Sequence, residues 1–363
     1  MTAVLVILGL GSALTLIPAL VYFLSKGHTR LRQAALGLCL SGATLTLLLT
    51  GLEAFWQLAG RHLPPSLAAK IPEDLQRRNI PGSRDYYWHG HLYRVTPEGF
   101  RKAEWPRKSP QVLRIIALGD SLTYGEGVAA EETYPAVLNR LLNRTYRVEV
   151  LNLGVCGHQV SDIRGVLDRH LKELNPDLVI YGMCLNDYLP SRMPQYNGEQ
   201  GALPLPRGFK DYLARNTAVF AFLTNKYDAL LRRWHWRRDF FDDILLSLEK
   251  DSRLKKEFVA NCATMSQAVA TRGKPPILAL VVTQFPKDPR GRLLADKSQD
   301  LMRQAGMEVL DDQPYFRGRA EEQFSVSPWE GHPNAQCHRI FAQILYDGLI
   351  KLHGDLLSHY RCP

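Results

Sequence analysis

The sequence predicts an α/β domain with a central parallel sheet, preceded by an N-terminal transmembrane hairpin of two helices. Two observations lead to this fold class. Two long stretches near the start of the chain contain no charged residue, and later in the chain short apolar runs alternate with stretches of helical periodicity. The chain has 363 residues, of which 45% are hydrophobic and 22% charged, so it can bury a sizeable core and most of it should fold.

Residues 1–60 are predicted to form the hairpin. Within them, residues 2–24 and 33–52 contain no charged side chain, and each stretch matches the roughly 20 apolar residues that cross a bilayer. A cleavable signal peptide would begin with basic residues, which do not precede the first span, and a second span would not follow it. The hairpin is therefore favoured over a signal peptide and over two buried core helices.

The charges around the two spans predict their orientation. Lys26, Arg30 and Arg32 lie between the spans, whereas Glu53 follows the second one. The positive-inside rule places the basic turn in the cytoplasm, and everything after Arg61 then faces outward. We therefore expect a bacterial inner-membrane protein whose main domain faces the periplasm.

The net charge of +9 does not by itself predict a nucleic-acid partner. The basic residues are scattered through stretches that also contain carboxylates, and the sequence has no nucleic-acid-binding motif. One dense cluster is the basic and aromatic run at residues 232–238. Such a run is typical of a solvated helix face, and it would also suit anionic lipid headgroups.

Five of the six cysteines fall in the outward part of the chain: Cys156, Cys184, Cys262, Cys337 and Cys362. An oxidising exterior permits disulfides, and a bond between the last two would tie down the C-terminus, although an odd number leaves at least one unpaired. The sixth, Cys39, lies in the second span. No cysteine spacing fits a zinc site, so we expect neither a metal nor another cofactor.

Residues 61–110 are predicted to be a linker followed by a small strand-and-turn segment, which mixes aromatic and polar residues at 85–100. The regular pattern occupies residues 111–360. Apolar runs typical of buried strands occur at 112–118, 147–153, 178–183, 276–282 and 307–310. Helical stretches separate these runs, and the alternation predicts right-handed crossovers and a parallel sheet covered on both faces.

An insertion at residues 188–250 interrupts this alternation. It begins with several prolines and then becomes helical and aromatic. Because it follows the C-terminal end of the third strand, we expect it to be a cap that shapes a substrate pocket. The alternative is a membrane-facing spacer.

Two short motifs far apart in the chain fit one active site: Gly-Asp-Ser-Leu at 119–122 and Gly-His-Pro-Asn at 331–334. Ser121 follows the first buried strand, at the sheet edge where open α/β sheets bind ligands. A hydroxyl is a weak nucleophile unless a base takes its proton, and His332 is the candidate base. The alternative for Ser121 is a cap on the following helix, because one tetrapeptide is a weakly specific motif.

These motifs belong to a longer series. Gly-Asp-Ser-Leu at 119–122, Asn-Leu-Gly at 152–154, Asn-Asp at 186–187 and His-Pro-Asn at 332–334 together resemble the four blocks of the SGNH, or GDSL, hydrolase family. The resemblance covers about residues 113–349 and implies a flavodoxin-like three-layer sandwich and acyl-ester chemistry. It implies that Ser121 is the nucleophile, that His332 is the base, and that the Ser121 N–H, the Gly154 N–H and the Asn186 amide form the oxyanion hole.

The chain departs from the family pattern at two positions. Trp329 occupies the usual position of the acid, three residues before the histidine, and Glu330 is the nearest carboxylate. Glu330 is the favoured triad acid; Asp311, Asp312 or a backbone carbonyl are the alternatives. In the third block, Cys184 replaces a glycine, which leaves the local backbone uncertain.

The favoured function is an extracytoplasmic, membrane-anchored serine esterase that cleaves an acyl ester of a carbohydrate or a lipid. An O-acyltransferase acting on envelope polysaccharide would use the same acyl-enzyme and is the first alternative. A non-catalytic anchored binding protein, with its triad lost at Trp329, is the second. The distance between the Ser121 hydroxyl and the His332 ring discriminates between catalysis and binding.

Overall fold

The computed structural model describes residues 2–59, 78–79, 83–88, 90–101, 105–189, 240–283, 288–319, 321–327 and 330–363, together with single positions between 206 and 236. The chain divides into two compact units. The first comprises residues 1–77 and 194–237, and the second comprises residues 78–193 and 238–363.

Two long helices, α1 (Thr2–Leu24) and α2 (Thr29–Ala59), belong to the first unit. The mean hydropathy is 2.1 over Ile7–Leu24 and 1.8 over Thr29–Phe55, and most of these side chains lie on the outside of the protein. The helices are long and apolar enough to cross a membrane, a property that a signal sequence shares.

The first unit also contains the middle of the predicted insertion. Leu213 and Val219 are buried, and the Val219 N–H donates a 3.0 Å hydrogen bond to Oε2 of Glu53 in α2. Residues 194–237 group with the hairpin, whereas the helix Phe240–Lys250 belongs to the second unit. The predicted insertion is therefore divided between the two units.

The second unit contains the remaining elements. Its strands are β1 (Arg78–Asn79), β2 (Tyr86–Trp88), β3 (His91–Tyr93), β4 (Leu113–Gly119), β5 (Val148–Gly154), β6 (Leu178–Met183), β7 (Leu278–Val281), β8 (Glu308–Val309), β9 (Ser325–Ser327) and β10 (Glu330–Pro333). Its helices are α3 (Ser121–Tyr124), α4 (Tyr134–Leu142), α5 (Val160–Leu174), α6 (Phe240–Lys250), α7 (Ser252–Ala270), α8 (Pro289–Gln304), α9 (Gln313–Phe316) and α10 (Ala335–Ser358).

Five of the strands form a parallel sheet in the order β5-β4-β6-β7-β8. Numbered along the chain, this order is 2-1-3-4-5, which is the flavodoxin-like arrangement and confirms the predicted fold class. β4 lies between β5 and β6, and at its carboxyl end Gly119 lies beside Gly154 of β5 and Gly182 of β6. The switch point of the strand order, where such sheets bind ligands, is therefore at the end of β4.

Helices cover the sheet. Leu113, Ile115 and Ala117 of β4 pack in one apolar cluster with residues of α4 and α10. α5 contacts β4 and α7. Because alternate side chains of a strand point to opposite faces, a strand between two helical layers must be apolar on both, as most of β4 is.

Arg114 is the exception within β4, because it is charged yet only 2% exposed. Its guanidinium donates to Glu149 Oε1 at 2.7 Å, to the Leu174 carbonyl at 3.0 Å and to the Pro106 carbonyl at 2.5 Å. A buried charge that is paired and hydrogen-bonded in this way is tolerated. Arg114 lies at the amino end of β4, whereas Ser121 follows its carboxyl end.

All six cysteines are free thiols, so the disulfide considered between Cys337 and Cys362 is not formed. Cys337 is buried in α10, where burial raises the pKa of its thiol well above the usual range. The C-terminus is held by the main chain instead: the Cys362 N–H donates to the Thr145 carbonyl, and the Arg147 N–H donates to the Tyr360 carbonyl.

Candidate active site

Ser121 is presented by a tight turn at the carboxyl end of β4. It is the first residue of α3, and the preceding Asp120 caps this short helix by accepting a 2.9 Å hydrogen bond from the Leu122 N–H. The other carboxylate oxygen of Asp120 lies 3.4 Å from Ser121 Oγ. The capping role considered for Ser121 therefore belongs to its neighbour, and the serine hydroxyl is available for chemistry.

The structure brings Ser121 and His332 together although 211 positions separate them. The distance between Ser121 Oγ and His332 Nε2 is 2.9 Å, which is hydrogen-bond reach for a nucleophile and its base. His332 lies in β10, which pairs with β9. A histidine in this position can accept the serine proton if its other ring nitrogen carries the hydrogen.

Asn334 fixes the chain directly after the histidine. Its Oδ1 caps α10 by accepting from the Gln336 and Cys337 N–H groups, at 3.0 and 3.1 Å. Its side-chain amide donates to the carbonyls of Gln323 and Ser325. The Pro-Asn end of the fourth motif block therefore anchors the base to α10 and to β9.

The predicted oxyanion donors differ in their surroundings. The Gly154 N–H already donates a 2.9 Å hydrogen bond to Asn152 Oδ1, and a Cβ at this position would lie 2.3 Å from the Tyr124 nitrogen. This glycine therefore allows β5 and α3 to approach each other closely, and its N–H is occupied. Asn186 follows β6, and its Oδ1 is buried without a hydrogen-bond partner.

Asp311 and Asp312 are the other aspartates considered for the acid. Asp311 Oδ1 accepts from the Gln313 N–H, and both carboxylate oxygens of Asp312 are buried with no hydrogen-bond partner among the described residues. The side chain of Glu330, the favoured acid, lies outside the described residues, as does Trp329.

Glu126 is a site residue that the sequence analysis missed. Its Oε2 lies 3.6 Å from His332 Nε2, the same nitrogen that contacts Ser121. The Glu126 N–H donates to the Ser121 carbonyl at 3.0 Å, so the loop after α3 turns the carboxylate back toward the nucleophile. Its position five residues after the serine was the only signal in the sequence that could have indicated this contact.

The small sheet β1-β2-β3 supports this loop. Tyr93 Oη accepts from the Gly127 N–H at 2.8 Å, and the Arg101 guanidinium donates to the Gly125 and Val128 carbonyls, both at 2.9 Å. The Trp88 ring packs edge-on against the His332 ring, with centroids 6.3 Å apart. The segment expected to be a simple preamble therefore forms one wall of the site.

Two aspartates and a thiol are buried behind the serine. Burial raises the pKa of Asp120, and burial together with the Asp120 charge raises the pKa of Asp187 well above its usual range. The Cys184 thiol hydrogen-bonds to Asp120, and burial raises its pKa as well. Its N–H donates to Asp187 Oδ2 at 3.1 Å. The cysteine that replaces the usual glycine thus supports the turn below the nucleophile.

A serine hydroxyl in contact with a histidine, at the switch point of a flavodoxin-like sheet, is an arrangement typical of hydrolases with an α/β-sandwich fold. A family model, the GDSL-like lipase/acylhydrolase family, matches residues 117–340. This match covers more than half of the chain. The chain belongs to that family and is an ester hydrolase.

Several solved structures are similar to the chain. A lipolytic protein of the G-D-S-L family from Desulfitobacterium hafniense is 12% identical, with a TM-score of 0.38 over 64% of this chain and 98% of the other. TesA is 16% identical, with a TM-score of 0.41 over 66% and 99%. A catalytic mutant of the acetylxylan esterase Axe2 from Geobacillus stearothermophilus is 16% identical, with a TM-score of 0.38 over 65% and 93%. No curated protein matches the chain.

Proposed function

We propose that the chain is a serine esterase anchored in the bacterial inner membrane, with its catalytic domain in the periplasm. It hydrolyses an acyl ester of a carbohydrate or a lipid through an acyl-enzyme on Ser121. The observation that carries the proposal is the 2.9 Å contact between Ser121 Oγ and His332 Nε2. A non-catalytic binding protein would have no need to hold these two atoms at this distance.

The reaction has two halves. Ser121 Oγ attacks the acyl carbon while its proton passes to His332 Nε2, and the tetrahedral intermediate collapses when the histidine returns this proton to the leaving alcohol. Water then attacks the acyl-enzyme, with the same nitrogen as base, and releases the carboxylic acid and the free serine. An O-acyltransferase would differ only in that a sugar hydroxyl replaces this water.

Glu330 is the proposed acid. It is the nearest carboxylate before His332 in the sequence. In this role the carboxylate accepts a hydrogen bond from Nδ1 of His332, fixes the tautomer and stabilises the imidazolium.

The Ser121 N–H and the Asn186 amide are the proposed oxyanion donors. Gly154 is the third donor only if its N–H gives up the hydrogen bond to Asn152 Oδ1. Gly157, in the turn after β5, is the alternative, because it is exposed, has φ +77 and has open space around it. Each preorganised donor typically contributes about 10²–10³ in rate.

Glu126 is proposed to act on His332 Nε2, the ring nitrogen that also contacts Ser121. A carboxylate 3.6 Å from His332 Nε2 favours the protonated ring that forms after proton transfer. It also accepts hydrogen bonds, so it can orient the attacking water or a hydroxyl of the substrate.

Labelling with a fluorophosphonate probe tests the nucleophile. We expect the wild type and Ser109→Ala, a change at an exposed serine, to be labelled, and Ser121→Ala and His332→Ala to lose the label. Hydrolysis of p-nitrophenyl acetate should likewise be retained by the wild type and Ser109→Ala and lost in Ser121→Ala and His332→Ala. Labelling of Ser121→Ala at the wild-type level contradicts the proposal. Product analysis with an added sugar acceptor separates hydrolysis from transfer.

A further inference from the structure

Several apolar side chains are exposed at the described positions in the middle of the insertion. Tyr227 and Leu230 are at helical positions and are 43% and 40% exposed. A spacing of three residues is one that puts two side chains on the same face of a helix. Trp234 and Trp236 are 53% and 72% exposed, with their rings packed edge to face.

The other side of this segment packs on the hairpin. Leu213, Val219 and Leu231 are buried. A cavity of about 280 Å³ lies within the first unit, and its lining is apolar apart from two threonines; it includes Leu10, Leu14, Leu45, Leu49, Val219, Phe220 and Leu223. The contact between insertion and hairpin is thus a contact between apolar surfaces.

The contact between the insertion and the hairpin lies far from the basic turn that joins α1 and α2. At about 1.5 Å per residue, Leu14 is roughly 15 Å along α1 from Leu24, and Leu49 is roughly 30 Å along α2 from Thr29. The hydrocarbon core of a bilayer is about 30 Å thick. If the hairpin spans the membrane, this part of the insertion lies at the depth of the outer leaflet.

Glu53 joins the two elements by a polar contact. It is only 1% exposed, and its Oε2 accepts from the Val219 N–H at 3.0 Å, where the helical positions of the segment begin again. A carboxylate at a helix N-terminus satisfies an otherwise unpaired N–H and interacts favourably with the helix dipole. Glu53 therefore fixes the segment against the outer end of α2.

We propose that the described positions 227, 230, 234 and 236 of this segment lie in the outer leaflet of the bilayer crossed by the hairpin. Tyr227 and Leu230 face acyl chains, and the two tryptophans lie at the headgroup level that suits their amphipathic rings. Four arginines stand next to the tryptophans in the sequence, Arg232, Arg233, Arg237 and Arg238, and a basic sequence beside a membrane surface favours anionic phospholipids. This inference rests on the membrane anchoring in the proposed function.

Cysteine accessibility in the full-length protein tests the proposal. A cysteine replaces Leu230, Leu16 or Arg253, one at a time, in a Cys39→Ala, Cys156→Ala and Cys362→Ala background, in which every remaining native thiol is buried. The protein is reconstituted into vesicles of phosphatidylcholine with a minor share of phosphatidylglycerol. We expect a charged maleimide to label Leu230→Cys and Leu16→Cys roughly ten-fold more slowly than Arg253→Cys, because a charged reagent does not enter hydrocarbon readily. A lipid-soluble maleimide should label Leu230→Cys about as fast as Leu16→Cys, since both thiols then lie in the same solvent.

The controls separate the possible failures. Slow labelling at Leu16 with rapid labelling at Leu230 by the charged reagent overturns the embedded segment but leaves the hairpin in the membrane. Rapid labelling at both positions overturns the anchoring itself. Labelling of Leu230→Cys by the lipid-soluble reagent much more slowly than that of Leu16→Cys shows that protein covers position 230, and it also overturns the proposal.

Discussion

At the scale of single residues, Asp120 links the backbone turn to the nucleophile. Its two oxygens contact the Leu122 N–H and Ser121 Oγ. We expect Asp120→Ala to lose the helix cap, which costs about 1 kcal/mol of unfolding free energy, and to lower kcat. Asp120→Asn retains a cap acceptor and should recover the stability. Urea unfolding of both variants measures this, and equal loss in both contradicts the capping role.

The contact of Glu126 with the base has a consequence for the pH dependence of catalysis. In Glu126→Gln a neutral amide no longer favours the protonated form of His332. The acidic limb of the kcat/KM profile should therefore move to lower pH, since the base stays deprotonated there. Glu131→Gln, a change on the neighbouring 3₁₀ turn, is the control. An unchanged acidic limb in Glu126→Gln shows that the carboxylate does not act on the base.

Asp312 predicts a pH-dependent stability. Burial raises its pKa from 3.8 to about 7. Between these values the folded protein keeps a proton that the unfolded chain has released, so the free energy of unfolding should fall as pH rises, by up to about 1.4 kcal/mol per pH unit. Above pH 7 this loss is complete. Asp312→Asn should remove the slope and be the more stable protein at pH 8; identical curves for both proteins would refute the prediction.

The residues of the site were predictable to different degrees. Ser121 and His332 belong to motifs that follow one another in the order of the family's four blocks. Their proximity in the folded protein could therefore be expected. Glu126 and Trp88 carry no motif, and their proximity to the histidine depends on how the loop after α3 and the small antiparallel sheet fold. The occupied N–H of Gly154 could not be predicted either, because it depends on the rotamer of Asn152.

At the scale of elements, α10 positions the base through its cap. Asn334→Ala removes the cap acceptor and both amide donors, and we expect it to cost about 1–2 kcal/mol and to lower kcat by misplacing His332. Asn334→Asp keeps the cap acceptor and loses the amide donors to β9. Thermal unfolding and ester hydrolysis of both variants separate the two contributions. A fully active Asn334→Ala shows that the cap does not position the histidine.

The strands of the parallel sheet were the most predictable elements, since each is a short apolar run followed by a helical stretch. β8 is shorter than expected: it covers only Glu308–Val309, the two positions that pair with Leu278 and Ala279 of β7. The insertion was the least predictable. Its sequence is helical and aromatic, as a cap would be, and the deciding contact is with Glu53, 166 positions away.

At the scale of the whole molecule, the proposed anchoring predicts how the protein partitions. Two uncleaved spans keep the full-length chain in the membrane pellet after a sodium carbonate wash at alkaline pH. We expect the chain to remain with the pellet and its N-terminus to remain intact. Release into the supernatant, or a mature N-terminus after the first span, would identify the first helix as a signal sequence instead.

The way the C-terminus is held has a consequence for biogenesis. α10 packs on α4, near the start of the sheet domain, and the Arg147 N–H before β5 is bonded to the Tyr360 carbonyl. The first helical layer is therefore incomplete until α10 has been synthesised. Long-range closure of this kind is slow. Ser121 and His332 are brought together only late in folding, and a product that stops before α10 lacks the layer that holds the histidine in place.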